Sequence, residues 1–147
     1  MTTDQIDTES EEGLEVDEKE PSYSFSPEVI EALGRSIQLV VGERLCEGAL
    51  LKMKEPGAWR KMTFKELRKR FKDNCGDQDG YLSPQAPLLE TVVRMLLASK
   101  RDSLTLSEIH ADISALWISS PWPRHISMNA LRRVLEHGVT HAVVRSE

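Results

Sequence analysis

The chain has 147 residues, of which 39% are hydrophobic and 29% charged, and a net charge of −5. That length suits one domain or two very small ones. The apolar runs fall short of the ~20 residues of a membrane span, the acidic start lacks a signal-peptide pattern, and Cys46 and Cys75 lack CxxC spacing, so the expectation is a soluble, cytoplasmic protein with reduced thiols.

Charge is unevenly placed. Residues 1–20 hold nine acids against Lys19, a net of −8, and the remainder holds 18 bases against 15 acids, a net of +3. Residues 1–24 carry few large apolar side chains, too few to offset ordering entropy, and are read as a disordered acidic arm. Such an arm either stays solvated or competes with nucleic acid for a basic surface.

Ser26-Pro27-Glu28 carries a capping residue, a first-turn proline and an acid at the positive helix end, and so opens a helix. Val29, Ile30, Leu33, Ile37, Val40 and Val41 recur at helical spacing, with Leu45, Ala49 and Leu50 able to continue it. Gly34, Gly42 and Gly48 weaken that helix, and Ile37 to Val41 also fits a strand. Pro56-Gly57 ends the element.

Residues 52–72 carry nine bases against two acids, a net of +7. Thr63 and Glu66 form the capping-box pattern, in which each side chain can bond the other's backbone amide. Phe64, Leu67 and Phe71 give the following helix a buried face, and Lys65, Arg68, Lys69 and Lys72 give it a cationic one. Arg60 and Lys61 precede it beside Trp59, a tryptophan expected to cover the core. A cationic stripe attracts phosphates and releases counterions, although many such faces are merely solvated. Residues 73–80 are rich in turn formers. Asp77, Asp79 and Gly80 resemble part of a calcium loop, but Cys75 and Ala86 stand where its first and last carboxylates belong, so the segment is read as structural.

Ser83-Pro84 starts the next helix, which is apolar nearly all round from Leu88 and therefore expected at the centre of the core. Ser103 to Thr105 reads as extended. Thr105 and Glu108 repeat the capping box 42 residues after the first, a hint of two related units in tandem. Ile109, Ile113 and Leu116 mark a helix face over 106–117. Pro121-Trp122-Pro123 breaks the chain, and Ser127 caps a helix over 128–137 with Met128, Leu131 and Leu135 as its buried stripe. Gly138 is expected as a left-handed cap, and 139–145 as a strand.

The order helix 88–99, strand 103–105, helix 106–117, helix 128–137, strand 139–145 resembles the winged helix-turn-helix superfamily over residues 85–147. The Leu-Thr-Leu-Ser-Glu-Ile start of the 106–117 helix carries the resemblance. Two features depart from it: the turn between the last two helices is long, and only one strand follows them, so its partner must come from elsewhere or be absent. The expected architecture is mainly α: a disordered arm (1–24), a helical basic subdomain (25–80) and a winged-helix-like domain with short β elements (81–147).

The resemblance implies that the 128–137 helix is the recognition helix. Its outward Asn129, Arg132 and Arg133 suit base readout, since asparagine can pair with adenine and arginine with guanine. Arg124 can hold a phosphate, joining Arg60, Lys61, Lys65, Arg68, Lys69 and Lys72. Arg132 and Glu136 are four apart and can also simply pair. The resulting expectation is a DNA-binding regulator or architectural factor, located with the nucleoid or nucleus if not generally cytoplasmic. The alternative is a protein-interaction or dimerisation module anchored on Trp117, Ile118 and Trp122. The sequence offers no phosphate loop, nucleophile elbow or HExxH. No enzyme activity, cofactor, metal, membrane or small-molecule substrate is expected.

Overall fold

The computed structural model describes residues 20–146; the acidic arm up to residue 19 lies outside them. The body is mainly helical with one small antiparallel sheet. In chain order it runs β1 (Ser22–Phe25), α1 (Pro27–Ala32), α2 (Ile37–Gly42), α3 (Glu47–Leu51), a 3-10 turn (Ala58–Lys61) and α4 (Phe64–Asn74). Then come α5 (Leu88–Ala98), β2 (Leu104–Thr105), α6 (Leu106–Ile118), α7 (Met128–Glu136), a second 3-10 turn (Val139–His141) and β3 (Val143–Ser146).

β1 lies between β2 and β3, antiparallel to both. Ser22 stands opposite Thr105 on one side and Ser146 on the other. Residues 22–24, expected as part of a disordered arm, are instead strand. Ser-Tyr-Ser-Phe alternates polar and apolar with the period of a strand, and it buries Tyr23 completely. The strand after the last helix thus gains a partner from the far end of the chain.

The single long helix expected from Pro27 is three short ones. Gly34, at φ +75°, turns the chain between α1 and α2, a conformation that costs other residues a steric penalty. Ser36 then restarts the helix by accepting from the Leu39 amide. Trp59 lays its ring against Gly42, as a covering tryptophan should. α4 runs through Asn74, two residues beyond Lys72, with Lys69 reaching one turn on to Asp73 at 2.9 Å.

α5 is the centre. Thr91, Val92, Val93, Met95, Leu96, Leu97 and Ala98 are all buried, and the helix packs on α4 and β1. It starts at Leu88 rather than Ser83, since Pro87 holds an extended ψ of 147° and residues 83–86 form a turn. One continuous core joins Ile30, Val41, Leu67 and Phe71 to Ile109, Leu131, Leu135 and Val143, so the 25–80 and 81–147 segments share it.

Both capping boxes form in full. The second is reinforced by β1: Leu106 N–H donates to Pro21 O and Ser107 N–H to Glu20 Oε2, each at 2.9 Å. With Glu108 N–H on Thr105 Oγ1, the first three orphan amides of α6 are satisfied. At the other end of the unit, Gly138 has an ordinary φ of −90°. Its value is closeness: a Cβ there would lie 3.0 Å from Val143 Cβ. The left-handed residue is the buried Ala142, at φ 63°, and the expected strand accordingly begins only at Val143.

Candidate functional site

Two helices carry the cationic residues singled out by the sequence, and they use them differently. On α4, Leu67 and Phe71 are buried, which turns Arg68 along the protein surface toward the end of α5. Arg68 Nε donates to Leu97 O at 2.8 Å, and Nη2 donates to Ser99 O at 2.9 Å and Arg101 O at 2.8 Å. These are carbonyls at and beyond the C-terminus of α5, where a cation is favoured. Its side chain is only 14% exposed, and Asp102 stands 3.5 Å away. Burial lowers the Arg68 pKa from its ordinary value, and Asp102 opposes that shift. Arg68 is a bracket inside the fold: the guanidinium expected to meet phosphate is already held by these carbonyls.

The other α4 cations are partly spent. Lys69 pairs with Asp73, and that ion pair holds the Asp73 carboxyl below the usual range. Lys72 reaches Asp102 at 3.7 Å. Lys65, exposed, and Arg70, half-buried, have no ion-pair partner among the described residues. Just upstream, Arg60 lies over the Trp59 ring at 4.9 Å, and Lys61 is exposed.

On α7, Ser127 caps the helix by accepting from Ala130 N–H, and Leu131 and Leu135 face the core. Asn129, Arg132 and Arg133 point outward and are exposed. Arg132 and Glu136 do not form the ion pair their spacing allows. Glu136 instead accepts from the Tyr23 hydroxyl at 2.5 Å and faces Arg145 of β3 at 3.6 Å. Neither Arg132 nor Arg133 has an acidic partner within 4 Å among the described residues. Burial, followed by the Glu136 hydrogen bond, pushes the Tyr23 phenol up to about 12. Tyr23 and Arg145 were not among the sequence candidates. The alternating Ser22-to-Phe25 pattern was the available signal.

Arg124 is committed to the fold as well. Its guanidinium sits 4.0 Å over the Trp117 ring, and Nη2 donates to Pro84 O at 2.8 Å and Ala86 O at 3.3 Å. This lids Trp117, which is 5% exposed, so the expectation of Trp117 as an exposed anchor is corrected. Ile118 and Trp122, at 75% and 78% exposure, are the apolar side chains left in solvent there.

α4 packs on α2, α3 and α5, whereas α7 packs on α6 and β3. The structure therefore divides the predicted basic residues between two separate supports. A cleft of about 300 Å³ opens beside Tyr81, Arg94, Ser99, Lys100, Arg101 and Asp112. Arg94 is held there by Glu90 Oε2 and Tyr81 O, each at 3.1 Å. Burial, aided by Glu108, raises the Asp112 carboxyl. These groups assemble no nucleophile with a base. Among the described residues no group of three metal-ligating side chains converges, and no helix is long and apolar enough to cross a membrane. The buried Cys46 and Cys75 touch, with Cys46 N–H donating to Cys75 Sγ at 3.3 Å. Burial, then the Cys46 thiol, pushes the Cys75 thiol up to about 12.

Comparison with known proteins gives no match to a family model, a curated protein or a solved structure.

Proposed function

We propose that this is a DNA-binding protein of winged-helix character, acting as a regulator or architectural factor with α7 as its recognition helix. The order α5, β2, α6, α7, β3 supports the winged-helix reading, with β1 serving as the returning strand. The observation that carries the DNA reading is the outer face of α7: Asn129, Arg132 and Arg133 are exposed together and unneutralised by any described acid within 4 Å. An α-helix with its side chains is about 10–12 Å across, which a major groove about 12 Å wide admits. Lys65, with Lys61, Lys69 and Arg60, supplies accessory phosphate contacts.

Titration of labelled duplex DNA at two salt concentrations tests this reading. Affinity should fall steeply as salt rises, because neutralised phosphates release counterions. Absence of binding at low salt would end it.

A second reading rests on Ile118 and Trp122. Two large apolar side chains exposed beside Pro121 and Pro123 suit an anchor for a protein partner or a second copy. Sedimentation distinguishes this case: a concentration-dependent mass that Trp122→Ala abolishes supports it, and a mass unchanged by that substitution counts against it.

A further inference from the structure

We propose that the acidic segment preceding β1 docks on the arginine face of α7 and competes there with nucleic acid. This rests on the DNA reading above and concerns the regulation of the same site.

The fold fixes where the segment leaves the body. Glu20 is clamped by Ser107 N–H and Pro21 by Leu106 N–H, so the exit lies at the start of α6. Ser22 stands opposite Ser146, and Tyr23 opposite Arg145. Tyr23 reaches α7 directly through Glu136, one turn from Arg132. The eight acids between Asp4 and Glu18 therefore begin two residues beyond a tether that touches α6 and five residues from a side chain bonded to α7.

Charge then selects the surface. On α4, Lys69 and Lys72 already face Asp73 and Asp102, and Arg68 is consumed by backbone carbonyls. On α7, Arg132 and Arg133 have no such partner among the described residues. Lys65 and Arg70 of α4 are unpaired among the described residues as well, but it is Arg132 of α7 that lies one turn from the Glu136 bonded to Tyr23, and the DNA reading assigns it to bases. A short tether holds its ligand at an effective concentration on the order of 1 mM. An arm with an intrinsic affinity for α7 of only ~0.1 mM would then weaken DNA binding about tenfold.

The test uses the full chain in two forms, natural and with the eight acids from Asp4 to Glu18 replaced by their amides. The strand, Glu20 and both basic helices stay intact. Backbone amide spectra without DNA report the contact by itself. Amides of Asn129 to His137 should shift on neutralisation, and high salt should move the natural chain the same way. Shifts confined to Lys65 to Lys72, or none at all, would overturn the proposal. Duplex titration of the same two chains reports the competition: the neutralised chain should bind about tenfold tighter at low salt, with the gap closing as salt rises. Equal affinities would overturn competition. Shifts on α7 with neither chain binding duplex would remove the DNA reading and the competition together, while leaving the arm seated on α7.

Discussion

α4 and α7 look alike on a helical wheel and differ in what their cations do. Each buries two large apolar side chains and turns a basic face outward. On α4 the most favourably placed guanidinium, Arg68, closes the end of α5 through three carbonyls. On α7 both arginines are left to solvent, because Glu136 is taken by Tyr23 and Arg145. Counting formal charges puts α4 ahead by five to two; counting unspent ones leaves Lys65 and Arg70 on α4 and Arg132 and Arg133 on α7, so the lead disappears. A cation's availability depends on what its neighbours leave unsatisfied, and formal charge alone does not report it.

The sharpest way to break this contrast is Arg68→Met. Hydrogen bonds to a charged donor contribute about 1.5–3 kcal/mol each, and carbonyls left unpaired add a desolvation cost. Some of these carbonyls can turn to water, so the expected loss is about 3 kcal/mol, read from urea unfolding. Arg133→Ala on α7 should stay within about 0.5 kcal/mol by the same measurement. Equal losses would erase the distinction.

Tyr23→Phe comes next, with an expected loss of about 1–2 kcal/mol for the hydrogen bond that ties β1 to α7. Its signature is alkaline. Folding raises the Tyr23 pKa from 10 to about 12, so the native state holds the phenolic proton more tightly than the unfolded chain does. That contribution is complete below about pH 10 and disappears as pH climbs through about 12. Unfolding midpoints across that window should fall less for Tyr23→Phe than for the natural chain.

The two capping boxes offer a smaller, internal comparison. Thr63→Ala and Thr105→Ala should each cost about 1 kcal/mol of stability. Thr105 should cost the more, because it is half-buried where Thr63 is exposed and its helix start also receives β1. Smallest of all, Lys69→Ala should change stability by less than about 0.5 kcal/mol, as exposed i,i+4 pairs do.

Local signals were readable. Both capping boxes lie within four residues, and both form. The near-continuous apolar run of α5 placed it at the centre of the core. The 106–117 and 128–137 helices and the 103–105 strand stand within a residue or two of expectation. What could not be read depends on partners distant in sequence. The carbonyls held by Arg68 lie 29 to 33 residues away, and Arg124 reaches back 38 to 40 residues to the turn before α5. β1 hid because its composition runs on from the acidic stretch, and only its pairing with residues 104–105 and 143–146 makes it a strand. The Val139–His141 turn hid because β-branched residues suggest a strand, whereas the tight packing at Gly138 and the left-handed Ala142 bend the chain first.

The central claim is that α7, and not α4, presents the working cationic face. Duplex titration of Arg132→Ala/Arg133→Ala beside Lys65→Ala/Lys69→Ala, at one low salt concentration, tests it most directly. The two doubles remove the same formal charge. The account predicts a loss of at least tenfold for the α7 double, consistent with about 1–3 kcal/mol per base-reading arginine, and a loss of at most a few-fold for the α4 double. A greater loss from the α4 double, with the α7 double binding like the natural chain, would contradict it.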